Sequence, residues 1–214
     1  MGFDWMAHFA WVSAHPLAAQ ILIYAYHSCM LQLAVFVIIL SCTKRFEHLR
    51  EFLTLFVLTA LAVSLVSTLW PAEGAMPFHA PPASLRIGND PMVGIYHLHD
   101  ERALRDGSMR VVDLAHAAGL VTLPSFHAIF AILLAWATRG IWYLFVPAII
   151  LNTVVCISAI AIGGHYLIDI YAGAAIAFVS MYAYVRRASL AGLLVAAARL
   201  PATYIAPTQI ASRP

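Results

Sequence analysis

The sequence predicts an all-α integral membrane protein, a single domain over residues 1–214 built as a bundle of about five transmembrane helices. Hydrophobic residues make up 63% of the chain and charged residues only 10%, whereas a soluble domain is about one quarter charged. Mean hydropathy is +0.85. Apolar runs also recur at the length of ~20 residues that a helix needs to cross a bilayer.

Prolines mark where the predicted helices begin and end. Pro16 suits the first turn of the first helix, and Pro71 stops the second helix just after Trp70. Pro124 is expected in the opening turn of the third helix. The predicted spans are 16–41, 52–70, 122–138, 141–162 and 166–185.

A polar segment over 71–121 separates the second and third spans. Within it, Glu101 and Arg105 have the i,i+4 spacing of a helix, as do Asp106 and Arg110. This spacing predicts a short surface helix that breaks near Gly107.

The sequence predicts different structures for the two ends of the chain. Trp5, Phe9 and Trp11, next to His8 and His15, predict that the N-terminal segment 2–14 lies along the bilayer surface. The tail over 200–214 contains prolines and is expected to be mobile.

Basic residues set the expected orientation, because loops rich in lysine and arginine stay in the cytoplasm. With five spans, the basic residues of the short connections fall on one face, which should be cytoplasmic. They are Lys44, Arg45, Arg50, Arg139, Arg186 and Arg187. The loop 71–121 and the starts of the third and fifth spans then face away from the cytoplasm.

Composition argues against several kinds of partner. Net charge is +2 without a run of lysine or arginine, so no nucleic-acid partner is expected. Cys29, Cys42 and Cys156 are scattered and fit neither a disulfide framework nor a zinc site. His97 and His99 in "YHLHD" lack a further ligand at suitable spacing. We therefore expect no metal and no cofactor.

Two polar motifs lie at the same predicted end of the bundle. The stretch "LVTLPSFHAIF" places Ser125 and His127 at the start of the third span. The stretch "GGHYLIDIYAG" places His165 at the start of the fifth span, with Asp169 one turn later. Ionisable side chains in membrane helices are costly, so by default they indicate function.

These four residues could together bind a phosphate group and transfer it. A helix N-terminus attracts anions, and the Ser125 hydroxyl adds a donor. Asp169 could hold the His165 imidazole in one tautomer, which makes His165 a candidate nucleophile and His127 a candidate acid. The alternative is two interfacial histidines bound to carbonyl groups, with Asp169 capping a helix.

The same motifs carry a family resemblance over about residues 70 to 185. "PSFH" resembles the Pro-Ser-Gly-His motif of the type 2 phosphatidic acid phosphatase superfamily, which shares its helical core with vanadium haloperoxidases. "SAIAIGGHYLIDIYAG" resembles the last motif of that family. Ser158 and Ala159 are followed by five residues, then His165, three residues and Asp169.

The resemblance implies a phosphoryl-transfer site at one membrane face. His165 would attack phosphorus to form a phosphohistidine, with Asp169 orienting its ring. His127 would protonate the leaving group, and Ser125 would contact phosphate oxygens. The scheme requires no metal. A lipid phosphate or phospholipid in the bilayer is the implied substrate.

Three positions depart from the family pattern. The first motif, a lysine followed by Arg-Pro, is absent, and Lys44 lies in a different loop. Ala159 stands where the last motif has arginine, and Phe126 replaces glycine. Since phosphoryl transfer needs cations, we expect Arg105, or else Arg110, to bind phosphate. The alternative for either is a surface arginine paired with a neighbouring acid.

The resemblance therefore predicts a lipid-phosphate phosphatase. Phe126 and the missing arginine also resemble the branch that contains inositol phosphorylceramide synthase, which implies head-group transfer between lipids as an alternative. A second alternative is a non-enzymatic membrane protein with a decayed site.

Overall fold

The computed structural model describes residues 2–88, 93–111 and 121–198, with the backbone alone for 188–198. These residues form helices, turns and loops and contain no β-strand, which confirms the all-α class. The predicted tail 200–214 and residues 112–120 of the long loop lie outside the described residues. The helices are α1 (Trp5–Ala14), α2 (Pro16–Cys42), α3 (Phe46–Leu69), α4 (Ala75–His79), α5 (Leu98–Arg105), α6 (Phe126–Ala137), α7 (Trp142–Ala161) and α8 (Leu167–Ala198).

Within the described residues, four helices are long and apolar enough to cross a bilayer: α2, α3, α7 and the Leu167–Arg187 part of α8. They contain 20 to 27 residues, and about 20 residues at a rise of 1.5 Å cover the ~30 Å hydrocarbon layer. Large apolar side chains such as Leu31 and Leu65 point outward from them. The chain is therefore an integral membrane protein.

The third predicted span is shorter than expected. Helix α6 contains 12 residues, or about 18 Å of length, and begins after Pro124, where Ser125 still has extended backbone angles. The expectation that Pro124 lies inside the helix, and that 122–138 is a full span, is wrong. Most α6 side chains are buried, and the helix packs against α3 and α7. It is a core helix within the bundle.

Helix α1 packs inside the protein. Trp5, Phe9 and Val12 are buried, and Trp5 Nε1 donates a hydrogen bond to the Ile160 carbonyl at 3.1 Å. The expectation that Trp5 and Phe9 lie in the bilayer surface is therefore wrong, because the end of α7 buries them. Trp11 remains exposed.

A buried acid ties α3 to α6 at the end of the bundle where α6 finishes. Glu51 forms an ion pair with Arg139 and accepts a hydrogen bond from Trp136 Nε1 at 3.0 Å. The Arg139 guanidinium also stacks 4.0 Å above the Trp136 ring. His48 contacts the Ala137 carbonyl at 3.0 Å. Glu51 therefore stabilises the packing of these helices, as expected of a paired buried charge.

The long loop folds back over the other end of the bundle. Helix α5 forms where i,i+4 spacing predicts a helix, and it ends before Gly107, whose φ is +77°. Arg105 Nη2 lies 2.8 Å from Glu101 Oε1, as its spacing predicts. Asp106 instead accepts a hydrogen bond from the Ser108 backbone N–H at 2.8 Å, so the predicted pair with Arg110 does not extend the helix.

Candidate active site

The start of α6 presents Ser125 and His127. Ser125 occupies the N-cap position, where a serine hydroxyl normally accepts a hydrogen bond from the first turn. In this chain the hydroxyl makes no such bond and lies 3.4 Å from His165 Nε2. The first-turn N–H groups of α6 therefore lack the usual side-chain acceptor and remain suited to an anion.

The turn between α7 and α8 presents His165. Gly164 has a φ of +66°, and a Cβ at this position would lie 2.7 Å from the Gly94 carbonyl oxygen, so only glycine fits. The Gly164 carbonyl accepts a hydrogen bond from Ala75 N–H at 2.6 Å, and His165 N–H donates to the Ala159 carbonyl at 3.1 Å. These backbone contacts hold the His165 main chain in one position.

Asp169 lies behind His165 in the first turn of α8. Its Oδ2 is 3.5 Å from His165 Nδ1 and accepts a hydrogen bond from the Tyr166 backbone N–H at 2.8 Å. Both side chains are buried. The 3.5 Å separation is within the range of an ion pair but is longer than the usual donor–acceptor distance of a hydrogen bond. Catalytic hydrogen bonds often have this length in ligand-free sites and tighten when substrate binds.

His127 faces His165 from α6. The two ring centroids are 5.8 Å apart with the planes at 67°. Tyr26 of α2 stacks on the other side of His127 at 4.4 Å. Thus Ser125, His127, His165 and Asp169 come together around one point, as the two sequence motifs predict.

The imidazoles of His127 and His165 open onto a cavity of about 550 Å³. One end is polar, with His97 and Thr122 beside the two histidines, and the other is largely apolar. The apolar residues come mainly from α2, α3 and α6 and include Cys29, Met30, Ala60, Val63, Phe126 and Phe130. No arginine or lysine among the described residues lines this cavity.

The two predicted phosphate-binding arginines do not line the cavity. Arg105 pairs with Glu101, and its Nη1 lies 3.9 Å from Glu73 Oε1. Arg110 is exposed beyond the end of α5. The structure thus brings four of the six predicted site residues together and leaves Arg105 and Arg110 outside.

Sequence reasoning missed His97 as a cavity residue. His97 is buried, and its Nε2 lies 3.4 Å from Thr122 Oγ1 and 3.8 Å from Glu101 Oε2. Burial, and then the nearby His165, lower the pKa of His97. The "YHLHD" motif was the available signal, but only His97 turns inward. His99 is exposed and pairs with Asp100.

The site shows no pre-formed metal centre in the described ranges, where no three His, Cys, Asp or Glu side chains are placed to share an ion. These features define a class of protein: a helical membrane protein with two adjacent imidazoles, a carboxylate and a serine hydroxyl at one end of a cavity. That arrangement suits transfer of a phosphoryl group between oxygen atoms.

Comparison with protein families agrees with this class. The family described as the PAP2 superfamily matches residues 1–183, and the chain belongs to that superfamily. Its members are phosphatases and phosphotransferases. Neither the curated proteins nor the solved structures give a match to the chain.

Proposed function

We propose that the protein is a membrane lipid-phosphate phosphatase that transfers the phosphoryl group through His165. The observation that carries the proposal is the convergence of Ser125, His127 and Asp169 on the His165 ring beside one cavity. Three of these side chains are buried and His127 is partly buried, and polar groups placed together in a membrane bundle are costly unless they perform a function.

The first chemical step uses both ring nitrogens of His165. With a proton on Nδ1 directed at Asp169, Nε2 carries the lone pair, and it attacks phosphorus. A P–N bond forms as the P–O bond to the lipid breaks. His127 donates its proton to the leaving oxygen. The products are a phosphohistidine and a free lipid alcohol.

The second step reverses these roles. His127, now neutral, accepts a proton from a water molecule that attacks the phosphohistidine. The P–N bond breaks, phosphate leaves, and both histidines return to their starting states. Ser125 and the first-turn N–H groups of α6 would donate hydrogen bonds to the phosphoryl oxygens throughout.

The walls of the cavity favour a lipid substrate. Met30, Ala60 and Val63 line it away from the histidines and belong to the apolar spans α2 and α3. Met30 is also exposed on the outer surface, so this end of the cavity borders the hydrocarbon layer. An acyl or isoprenyl chain would lie there while the phosphate reaches His165.

Head-group transfer is the second candidate, and Phe126 favours it. This ring lines the cavity beside His127 and packs edge-on against Phe56, with centroids 5.4 Å apart. With Phe130 it fills space that a glycine would leave to water. A drier cavity would favour a lipid alcohol over water as acceptor, as in the inositol phosphorylceramide synthase-like branch.

We also propose that the site opens on the non-cytoplasmic side of a cell membrane. The support is the placement of basic residues. Arg139 lies in the turn that follows α6, whereas Ser125 and His127 lie at the start of that helix. The basic residue and the site residues are therefore at opposite ends of α6. The other basic residues of the short connections share the predicted face of Arg139.

A phosphoenzyme trap tests the proposal. The purified chain is mixed with phosphatidic acid labelled with ³²P, quenched in alkali, which preserves phosphohistidine, and counted for label on protein. We expect labelled wild-type protein, unlabelled His165→Gln protein, and an unchanged result for the control His99→Gln. Full turnover by His165→Gln would overturn the mechanism.

The same reaction separates the three readings of the site. Free labelled phosphate supports the phosphatase, whereas label that passes to an added lipid alcohol supports the transferase. If wild-type protein neither turns over lipid phosphates nor binds vanadate, the site is decayed and the protein is non-enzymatic.

A further inference from the structure

The cavity needs a positive charge that its described lining does not carry as lysine or arginine. A phosphate monoester carries about 1.5 to 2 negative charges at pH 7. An unpaired charge in a buried site is strongly unfavourable. Ala159, at the position of the missing arginine, is fully buried. His127 gives its proton to the leaving oxygen, so a lasting countercharge must come from another residue at the polar end.

His97 is a third imidazole at that end. It precedes α5, is buried, and lines the cavity together with Thr122, His127 and His165. Its Nε2 lies 3.4 Å from Thr122 Oγ1. Because Thr122 also lines the cavity, this nitrogen lies on the cavity side of the ring. Neither the phosphoryl-transfer steps nor the sequence motifs use His97.

A chain of charged side chains begins beside the same ring nitrogen, His97 Nε2. Glu101 Oε2 lies 3.8 Å from His97 Nε2 and has no hydrogen-bond partner within the described part of the chain. Arg105 holds the other oxygen of Glu101 at 2.8 Å. Arg105 and Arg102 both lie within 4 Å of Glu73, at 3.9 and 3.7 Å.

The charges of this cluster balance when His97 is neutral. Two carboxylates, Glu73 and Glu101, face two guanidinium groups, Arg102 and Arg105. A proton on His97 therefore leaves one net positive charge, and that charge lies at the cavity wall. Glu101 stabilises the imidazolium, which explains why a carboxylate is buried with one oxygen directed at a histidine.

We propose that His97 is the phosphate-binding cation of the cavity. As the phosphate group enters, His97 takes up a proton from solvent and donates a hydrogen bond to a phosphoryl oxygen. Glu101, held by Arg105, acts as a positioning residue for the imidazolium. The inference rests on the proposed function and names the group that replaces the missing motif cations.

Without a ligand, the His97 ring has reason to be neutral. Burial, and then the nearby His165, lower the pKa of His97 in the absence of a ligand. Burial also raises the pKa of Glu101, which Arg105 opposes. A phosphate dianion that enters the cavity favours the protonated form of His97 over the neutral form. The titratable groups that share the cavity lining with His97 include His127 and His165, and the charged groups on the loop side are Glu101, Glu73, Arg102 and Arg105.

Vanadate binding to the purified full-length protein tests the proposal without needing turnover. We compare wild type with His97→Gln, and with His99→Gln as the matched control from the same motif. A hydrogen bond from a charged donor is lost in His97→Gln, so vanadate should bind about 10- to 100-fold more weakly. His99 is exposed, and its substitution should leave the affinity unchanged.

Proton uptake separates a binding cation from a merely structural histidine. Calorimetry in two buffers of different ionisation enthalpy should show that wild type takes up about one more proton per vanadate than His97→Gln near pH 7. The affinity ratio of wild type to His97→Gln should fall as pH rises from about 6 to 8, because protonating His97 becomes harder. Titration of vanadate itself cancels in this ratio.

His97→Arg provides the complementary variant, since guanidinium stays charged throughout this pH range. It should retain vanadate binding with a flatter pH dependence, and it keeps the test valid if His97→Gln fails to fold. Equal vanadate affinity and proton uptake in His97→Gln and wild type would overturn the role of His97, even if the phosphohistidine forms. If wild type forms no labelled phosphohistidine but its vanadate binding still depends on His97, only the proposed reaction is overturned.

Discussion

Ser125 Oγ lies 3.4 Å from His165 Nε2, although the two residues are 40 positions apart in the chain. A backbone hydrogen bond from Ser125 N–H to the Asp169 carbonyl, at 3.0 Å, ties the same two helix starts together. The serine hydroxyl is therefore placed by main-chain contacts and is free to act on a ligand. Its role can be tested without disturbing the fold.

Ser125→Ala should weaken vanadate binding by roughly tenfold, since one hydrogen bond to an anion is lost. The backbone contact with Asp169 survives, so the thermal unfolding midpoint should stay close to that of wild type. Calorimetric titration with vanadate measures the first effect. Ser158→Ala is the control, because the Ser158 hydroxyl is buried but bonds to the Val155 carbonyl outside the cavity. If Ser125→Ala and Ser158→Ala bind vanadate with equal affinity, Ser125 does not contact the bound anion.

Asp169 is expected to stabilise the His165 cation and to cap the start of α8, and substitutions can separate these two roles. Asp169→Asn keeps an oxygen for the Tyr166 N–H but loses the charge that stabilises the His165 cation, so turnover should fall roughly 10²- to 10⁴-fold with little loss of stability. Asp169→Ala should also lose about 1 kcal/mol of stability with the capping bond. Phosphate release and thermal melts measure the two effects. If Asp169→Asn keeps wild-type turnover, Asp169 is only a helix cap.

The sequence was sufficient to predict the four central residues because their signals are local. His165 and Asp169 are one helical turn apart, and Ser125 and His127 follow Pro124 at the start of an apolar run. Two apolar helices that begin at the same membrane face bring such motifs together. The membrane class follows in the same way from composition and run length.

The remaining errors come from contacts that no local pattern records. Hydropathy counts residues 122–125 as apolar span, but hydropathy does not report backbone conformation, and α6 begins only at Phe126. Arg105 was expected to bind phosphate, yet Glu101 lies between it and His97. Only the folding of the long loop over the bundle reveals that His97 reaches the cavity.

The packing of α8 on the start of α6 depends on Gly173. A Cβ at this position would overlap the Ser125 carbonyl oxygen and would touch Ala128 Cβ at 3.2 Å. Gly173→Ala should therefore separate the two helix starts and destabilise the protein by about 1–3 kcal/mol. It should also reduce turnover, because Ser125 and His165 move apart.

Thermal unfolding in detergent and phosphate release measure the two effects of Gly173→Ala. Gly2→Ala is the control, since nothing lies within 4 Å of a Cβ there. A Gly173→Ala protein with the wild-type melting midpoint would contradict the close approach of these helices.

Arg139 should affect stability without affecting chemistry. Arg139→Gln leaves the Glu51 carboxylate buried without its guanidinium partner, which should cost about 3 kcal/mol. The double variant Glu51→Gln/Arg139→Gln should recover part of this loss, because no unpaired charge remains. Thermal melts of the two variants measure the difference. Because the pair lies at the opposite end of α6 from the histidines, turnover per folded molecule should match wild type.

The pH dependence of stability should report His97 directly. Its folded-state pKa lies below the usual 6.5, because burial and then His165 disfavour the cation. The unfolded chain therefore binds more protons than the folded chain between the lowered pKa and 6.5. Over that interval the free energy of unfolding must fall as pH falls. The pKa of Glu101 is shifted upward and contributes with the opposite sign above 4.5.

Thermal melts of wild type and His97→Gln between pH 5.5 and 7.5 isolate the contribution of His97. Wild type should lose stability toward pH 5.5 more steeply than His97→Gln, whereas His99→Gln should follow wild type. Saturating vanadate should reduce the slope in wild type and His99→Gln but not in His97→Gln, because the bound anion makes the protonated His97 ring favourable. Parallel pH profiles for all three proteins would contradict the lowered pKa of His97 in the folded protein and the proposal that its ring is neutral before phosphate binds.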